Sequence, residues 1–235
     1  MKRILLTLSI GIGALAILYL VLLCYPGPLF SVGYEYHQFE IHSNELIPEE
    51  IESVLDDVER RISNSELYSN TQKFSVYLCQ SDWMYFLFSR NLNSGGICNF
   101  SLSRNVFIRE CDIKSNQLIP PENWVFPLDD RPLSYFIAHE LTHSMQSNMD
   151  RFMNLKVPRY ILEGYADYIA KSTEADMEAY WTKFYAGDPI MDPENGLYNK
   201  YHLFISYFID QKCYTFSKLI EEKPDLDVLE ALTIR

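Results

Sequence analysis

Apolar positions along the chain change their period several times, and each change predicts a different kind of element. Over residues 4–24 they are nearly continuous, relieved only by small or hydroxyl residues and preceded by Lys2 and Arg3. A run of that length predicts a helix able to span a bilayer. Residues 25–28 break it. Val32, Tyr34 and Tyr36, then Phe39 and Ile41, alternate as strands do. After Pro48, Ile51, Val54, Leu55, Val58 and Ile62 recur at three and four, which predicts a charged helix with one apolar stripe. Residues 74–79 read as a buried strand and Ser81 as the cap of a short helix running to Arg90. Gly95-Gly96 then leads into a hairpin of residues 98–100 and 106–109. Residues 111–129, with Pro120-Pro121 and Pro127, read as an irregular connection.

Beyond that connection helical periodicity takes over. Asp130 and Pro132 offer a start signal for a helix whose Ile137, Ala138, Leu141 and Met145 fall on one side. Further helical patterns cover 158–171, 174–185, 198–211 and 213–222, interrupted at Gly187-Asp188-Pro189 and Asp192-Pro193. Strands first and helices afterwards predict an α+β domain, a small mixed sheet packed on the helix that carries Ile137, Ala138, Leu141 and Met145, with a mainly helical C-terminal part and a cleft between them. Residues 1–25 are expected to be a membrane anchor and 26–235 one domain. The apolar run ends in Leu22-Leu23-Cys24-Tyr25 without a small-x-small cleavage site, so an uncleaved segment is preferred to a removed signal peptide. Lys2 and Arg3 precede the run and no lysine or arginine follows until Arg60. That asymmetry predicts a single pass with the N-terminus cytoplasmic and the domain exocytoplasmic, periplasmic or extracellular.

A formal net charge of -12 disfavours nucleic acid as a partner, because a polyanion demands a basic face. Cys79, Cys98, Cys111 and Cys213 form an even set compatible with disulfides in an exported domain, with three possible pairings.

The chemistry concentrates in His139-Glu140-Leu141-Thr142-His143. One turn of helix brings both imidazoles to one face, opposite the apolar side, together with Glu140 and Ser147. The plain alternative is an amphipathic helix with surface histidines. Two histidines leave a catalytic zinc short of a protein ligand, so a further carboxylate or histidine is expected downstream. Glu163 lies twenty residues after His143 and answers that expectation. Asp167, one turn further on, could accept the free ring N–H of His139 or His143 and fix its tautomer. For both acids the alternative is a solvated acidic face.

These two motifs and their spacing resemble the gluzincin metallopeptidases, the thermolysin-like group, and most closely the small peptidase MA-like domains. Residues 158–168 are similar to the family's proline-x-x-hydrophobic-x-Glu-Gly-x-Ala-x-Tyr segment, and residues 198–208 to a tyrosine-led helix that follows it. The resemblance covers roughly residues 133–220. It implies one Zn2+ held by His139, His143 and Glu163, Glu140 as general base, and Asp167 supporting a histidine. It ranks Tyr198 first as donor to a developing oxyanion, with Tyr201 and His202 as the other candidates. Two features of particular relatives are missing: a glycine-x-methionine-glutamate-asparagine segment, which leaves exopeptidase activity without support, and a clear counterpart of the thermolysin-type histidine donor.

The expectation from sequence is therefore a membrane-anchored zinc-dependent peptidase acting on a peptide or protein substrate, with the 106–109 strand pairing with an extended chain. The runner-up is a catalytically silent peptidase-like binding or assembly protein at the membrane, against which the intact Glu140 argues. An unrelated exported domain with an accidental five-residue match is the third possibility.

Overall fold

The alternating segments assemble into one mixed five-stranded sheet. The computed structural model describes residues 2–121, 124, 131–193 and 197–232, with side chains from residue 9 onward and without that of residue 173. Its strands are β1 (Val32–Tyr36), β2 (Phe39–Ser43), β3 (Phe74–Leu78), β4 (Gly96–Cys98) and β5 (Val106–Ile108), in the spatial order β1-β2-β3-β5-β4. The β2–β3 and β3–β5 pairs are parallel, and the outer pairs β1–β2 and β4–β5 antiparallel. The hairpin expected at 98–100 and 106–109 thus forms slightly earlier on its first arm. Within the connection expected to be irregular, β6 (Cys111–Asp112) and β7 (Gln117–Leu118) pair as a second small sheet. Its turn residue Asn116 caps the next helix: the Asn116 carbonyl accepts from Leu133 N at 2.8 Å and its Oδ1 from Ser134 N at 3.0 Å. These bonds satisfy amides that a helix start would leave unpaired. Asp130, the other proposed start signal, lies outside the described residues.

Side-chain alternation gives the sheet two different faces. Phe39, Ile41, Phe74, Val76, Leu78, Val106 and Ile108 point into the main core, where α2 (Ile51–Ile62) and α4 (Leu133–Met149) pack. The α2 stripe Val54, Leu55, Val58 and Ile62 is at most 2% exposed, and each such side chain contributes about 1.5–3 kcal/mol of burial. Tyr77 and Phe107 face the other way and join a smaller cluster with Phe30 and the α3 (Asp82–Ser89) residues Met84, Tyr85 and Phe88.

The C-terminal half is helical: α5 (Arg159–Lys171), α6 (Met177–Tyr185), α7 (Asn199–Ser206) continued by a π-helical turn (Tyr207–Gln211), α8 (Phe216–Glu222) and α9 (Val228–Leu232). Helix α6 starts later than its periodicity predicts because Asp176 caps it, accepting from Ala179 N, and Thr215 caps α8 in the same way. Helices α5 and α7 pack closely through Gly164, where an added Cβ would lie 2.7 Å from the Tyr201 carbonyl oxygen and 2.8 Å from Ile205 Cγ1.

The expected membrane anchor is overturned. Residues Lys2–Cys24 do form a helix, α1, but among the described residues no helix is long and apolar enough to cross a membrane. The carboxyl end of the apolar run is engaged elsewhere. Leu23 belongs to the Phe30–Tyr77–Phe107 cluster, and Tyr19 Oη donates to the Leu87 carbonyl at 2.7 Å. The Leu23 carbonyl accepts from Asn99 Nδ2, Ser103 Oγ and Asn105 Nδ2 at 3.0–3.3 Å. Ile10, Ile12, Leu15 and Ile17 on the same helix are exposed. The single-pass, exocytoplasmic placement falls with the anchor. The expected disulfides are absent as well: Cys79, Cys98, Cys111 and Cys213 are free, as is Cys24. Burial pushes the Cys111 thiol up to about 12 and holds Cys79 in its protonated form.

Candidate metal centre

Helix α4 is not the half-exposed amphipathic helix its periodicity suggests. Every residue from Leu133 to Ser147 is buried, because the polar stripe opposite Ile137, Leu141 and Met145 is covered in turn by α5 and by the β4 edge of the sheet. His139, Glu140 and His143 therefore sit at the bottom of a cleft of about 800 Å³, which Glu163 of α5 and Tyr198 also line.

The two imidazoles and the α5 carboxylate converge. His139 Nε2 and His143 Nε2 each lie 3.3 Å from Glu163 Oε2. The rings stand edge-on at 84° with centroids 4.9 Å apart, so both nitrogens face a common point. One ligand atom from each residue falls within 4.8 Å of the others. Two ligands on a tetrahedral zinc, with bonds of about 2.0–2.1 Å, are separated by about 3.3 Å. Both nitrogen-to-oxygen distances match that spacing, and two imidazoles with one carboxylate are a donor set zinc accepts.

Electrostatics is consistent with a site made for positive charge. Burial alone would raise the Glu163 carboxyl, but His143 and His139 outweigh it and hold the group well below the usual carboxylate range. Burial pushes His143 down, and Glu163, Glu140 and Gln146 more than reverse it, to about 9. The polypeptide alone thus neutralises Glu163 with an imidazolium proton, a place that a divalent cation could take. Glu140 is raised, by burial first, against the opposing pull of His139 and His143; the Cys98 amide donates to its carboxylate.

The histidine-supporting group differs from expectation. Asp167 is fully buried but contacts neither ligand histidine: it accepts from Tyr135 Oη at 2.5 Å and from His202 Nδ1 at 2.9 Å, with Lys171 Nζ at 3.0 Å. Lys171, one turn along the same helix, draws the carboxylate toward α7 and away from the ligand rings. His139 Nδ1 is left buried without a partner. For His143 the support comes from Gln146, whose Oε1 lies 2.9 Å from Nδ1 while its Nε2 donates to the Leu162 carbonyl at 3.0 Å.

Of the three proposed oxyanion donors, only Tyr198 lines the cleft. Its ring lies parallel to His139 at 5.8 Å and 8°, with Tyr201 stacked on it at 5.9 Å. Arg159 Nη2 donates to Tyr198 Oη at 2.9 Å, which leaves the phenolic hydrogen free for another acceptor. Burial and the nearby Glu163 raise this phenol further, so it stays protonated. Tyr198 adopts φ 47°, ψ 13° just before α7, a left-handed conformation that costs a non-glycine residue energy and is concentrated at functional sites. His202 is committed to Asp167.

The strand expected to meet an extended chain cannot do so. Strand β5 lies between β3 and β4, so its backbone groups are already paired. The edge belongs to β4, which borders the cleft. Its register with β5 turns the polar backbone groups of Gly96 and Cys98 outward; those of Cys98 are already used, the amide by Glu140 and the carbonyl by Phe100 N at 2.8 Å. Gly96 must be glycine for a further reason: a Cβ there would come within 2.7 Å of Glu140 Cγ.

No protein-family model, curated protein or solved structure matches the chain, so the likeness to gluzincins rests on the residues themselves. Sequence reading passed over Gln146, Gly96 and Arg159. The first was legible as a polar residue three positions after His143, on the same helical face; the other two gain their meaning only from the packing of β4 and α7.

Proposed function

We propose that this protein is a zinc-dependent peptidase of the gluzincin type, hydrolysing peptide bonds in the cleft between β4 and α5. The observation that carries the proposal is the convergence of His139 Nε2, His143 Nε2 and Glu163 Oε2 at separations suited to one tetrahedral ion, with Glu140 beside them but outside the ligand set.

His139, His143 and Glu163 would hold the ion. Zinc in such a site supplies Lewis acidity and lowers the pKa of a bound water to about 7. Glu140, desolvated in the cleft floor, takes the proton of the attacking water on its carboxylate and returns it to the leaving amine. The Cys98 amide and the close approach of Gly96 fix the direction of that carboxylate. Tyr198, with Arg159 occupying its oxygen, directs its O–H toward the developing oxyanion, where a donor is worth about 10²–10³ in rate. The outward N–H and C=O of Gly96 pair with an extended substrate lying along β4.

The direct test is metal analysis of the purified full-length chain combined with hydrolysis of an unstructured protein. One zinc per chain and chelator-sensitive cleavage are expected. Zinc without cleavage of a broad peptide library would instead favour a silent, peptidase-like binding protein, and no zinc would remove the site altogether.

A further inference from the structure

The Arg159 guanidinium lines the cleft together with two carboxylates, Glu140 and Glu163. On the proposed reading both carboxylates are already occupied, one with a proton transfer and one with the ion. Arg159 spends one N–H on Tyr198 Oη. With a divalent ion bound, these three described side chains would together carry a net positive charge, on a chain whose formal net charge is -12. A cationic concavity in an acidic protein concentrates anionic ligands and excludes cationic ones.

Arg159 is the cation placed to make contact. It opens α5 one turn before Glu163, and its side chain is 67% exposed. Its guanidinium carbon lies 5.5 Å from the centre of the Tyr198 ring, against which the side chain is braced. One Nη2 hydrogen is used by Tyr198 Oη. The Nε group is 3.7 Å from Glu163 Oε1, too far for a hydrogen bond, and a cation bound by Glu163 would weaken that attraction further. What remains is a rigid fork of N–H donors, held beside the reacting centre and suited to bidentate carboxylate binding.

We infer that Arg159 is a carboxylate-recognition site, and that the preferred substrates are peptides carrying a carboxylate close to the scissile bond. This rests on the peptidase reading and narrows it to a substrate class. The carboxylate belongs to an Asp or Glu side chain or to the peptide's own C-terminus; both present the same group to the fork.

The test uses zinc-loaded full-length protein and matched peptides: Glu against Gln at each position flanking the cleaved bond, and C-terminal acid against C-terminal amide. Binding to the E140Q form is measured by calorimetry alongside kcat/KM of the wild type. At least about a tenfold preference for one acid over its neutral partner is expected in both measurements, falling toward unity in R159Q with zinc content unchanged. Which pair shows the preference distinguishes side chain from terminus. An effect of Arg159 acting only through Tyr198 would lower both members of a pair alike and leave the ratio intact, which would overturn the inference. Equal handling of acid and neutral peptides by the wild type would overturn it while leaving the peptidase reading standing. Loss of the preference in 0.5 M salt checks the charge basis without any substitution. A chain that takes up no zinc and binds neither peptide rejects both readings, a result distinct from the others.

Discussion

Gln146 determines which nitrogen of His143 carries the hydrogen. The Gln146 amide is oriented by its own Nε2 donation to the Leu162 carbonyl, so Oε1 is the atom left facing His143 Nδ1 at 2.9 Å. An oxygen can only accept, so Nδ1 donates, and neutral His143 presents a lone pair at Nε2 toward Glu163. Because the same side chain ties α4 to α5, it also fixes the distance between the helices that carry the ligands. Gln146→Ala is expected to weaken zinc affinity by about 10–100-fold, read by competition with a chromogenic chelator. Unchanged affinity would show that His143 needs no such support.

Loss of the ion and loss of the proton acceptor separate cleanly. Glu140→Gln keeps shape and removes the basic oxygen, and Glu140 is outside the ligand group. Stoichiometric zinc with turnover reduced by at least about a hundredfold is expected. His139→Ala removes one of the two nitrogens 3.3 Å from Glu163 Oε2 and is expected to deplete zinc itself. Elemental analysis of the two variants distinguishes the failures; an E140Q protein with full turnover would take Glu140 out of the mechanism.

Asp167 makes stability depend on acid. Burial opposes its ionisation, yet Lys171, His202 and Tyr135 hold the carboxyl well below its ordinary 3.8. A carboxyl depressed on folding stabilises the native state fully above the unfolded value; that contribution declines as pH falls below about 4, where the unfolded chain takes up a proton that the folded chain refuses. Asp167→Asn also leaves Lys171, 5% exposed, without its counter-charge. A loss of about 3–5 kcal/mol at pH 7 is expected, narrowing below pH 4, in denaturant titrations at several pH values. A difference that stays constant from pH 6 to pH 3 would contradict the depressed pKa.

What the sequence made legible was local. Helix α2 announces itself because Ile51, Val54, Leu55, Val58 and Ile62 repeat at the helical period on an otherwise charged segment, and the strand run from Phe74 is short and mostly apolar, with Phe74, Val76 and Tyr77 favouring a strand. The ligand residues were legible because helical spacing alone brings His139 and His143 to one face, and Glu163 follows as the acid on the next helix. Contacts made across the sheet were not. The apolar run ending at Cys24 carries no mark that Asn99, Ser103 and Asn105 will take its last carbonyls. Asp167 shares a face with Glu163, but whether it turns to His139 or to His202 is decided by where α7 packs. The exchange of β4 for β5 as the edge strand is topology, which the alternation of a hairpin leaves open.

That edge strand yields the last expectation. Gly96 is where the backbone of β4 comes against the stem of the Glu140 side chain: an added Cβ would approach Glu140 Cγ to 2.7 Å, Ile108 Cδ1 to 3.0 Å and Glu140 Oε1 to 3.2 Å. The strand is anchored by its pairing with β5, whereas the carboxylate is the end of a flexible side chain, so Glu140 is the partner that moves. A displacement of about 1 Å in a group positioned for proton transfer costs on the order of 10² in rate. Gly96→Ala is therefore expected to keep fold and zinc while lowering kcat toward the E140Q level, with KM little changed. Circular dichroism, metal content and steady-state kinetics on one preparation decide it. A G96A protein with wild-type kcat would show that the close approach of β4 to Glu140 does not position the base.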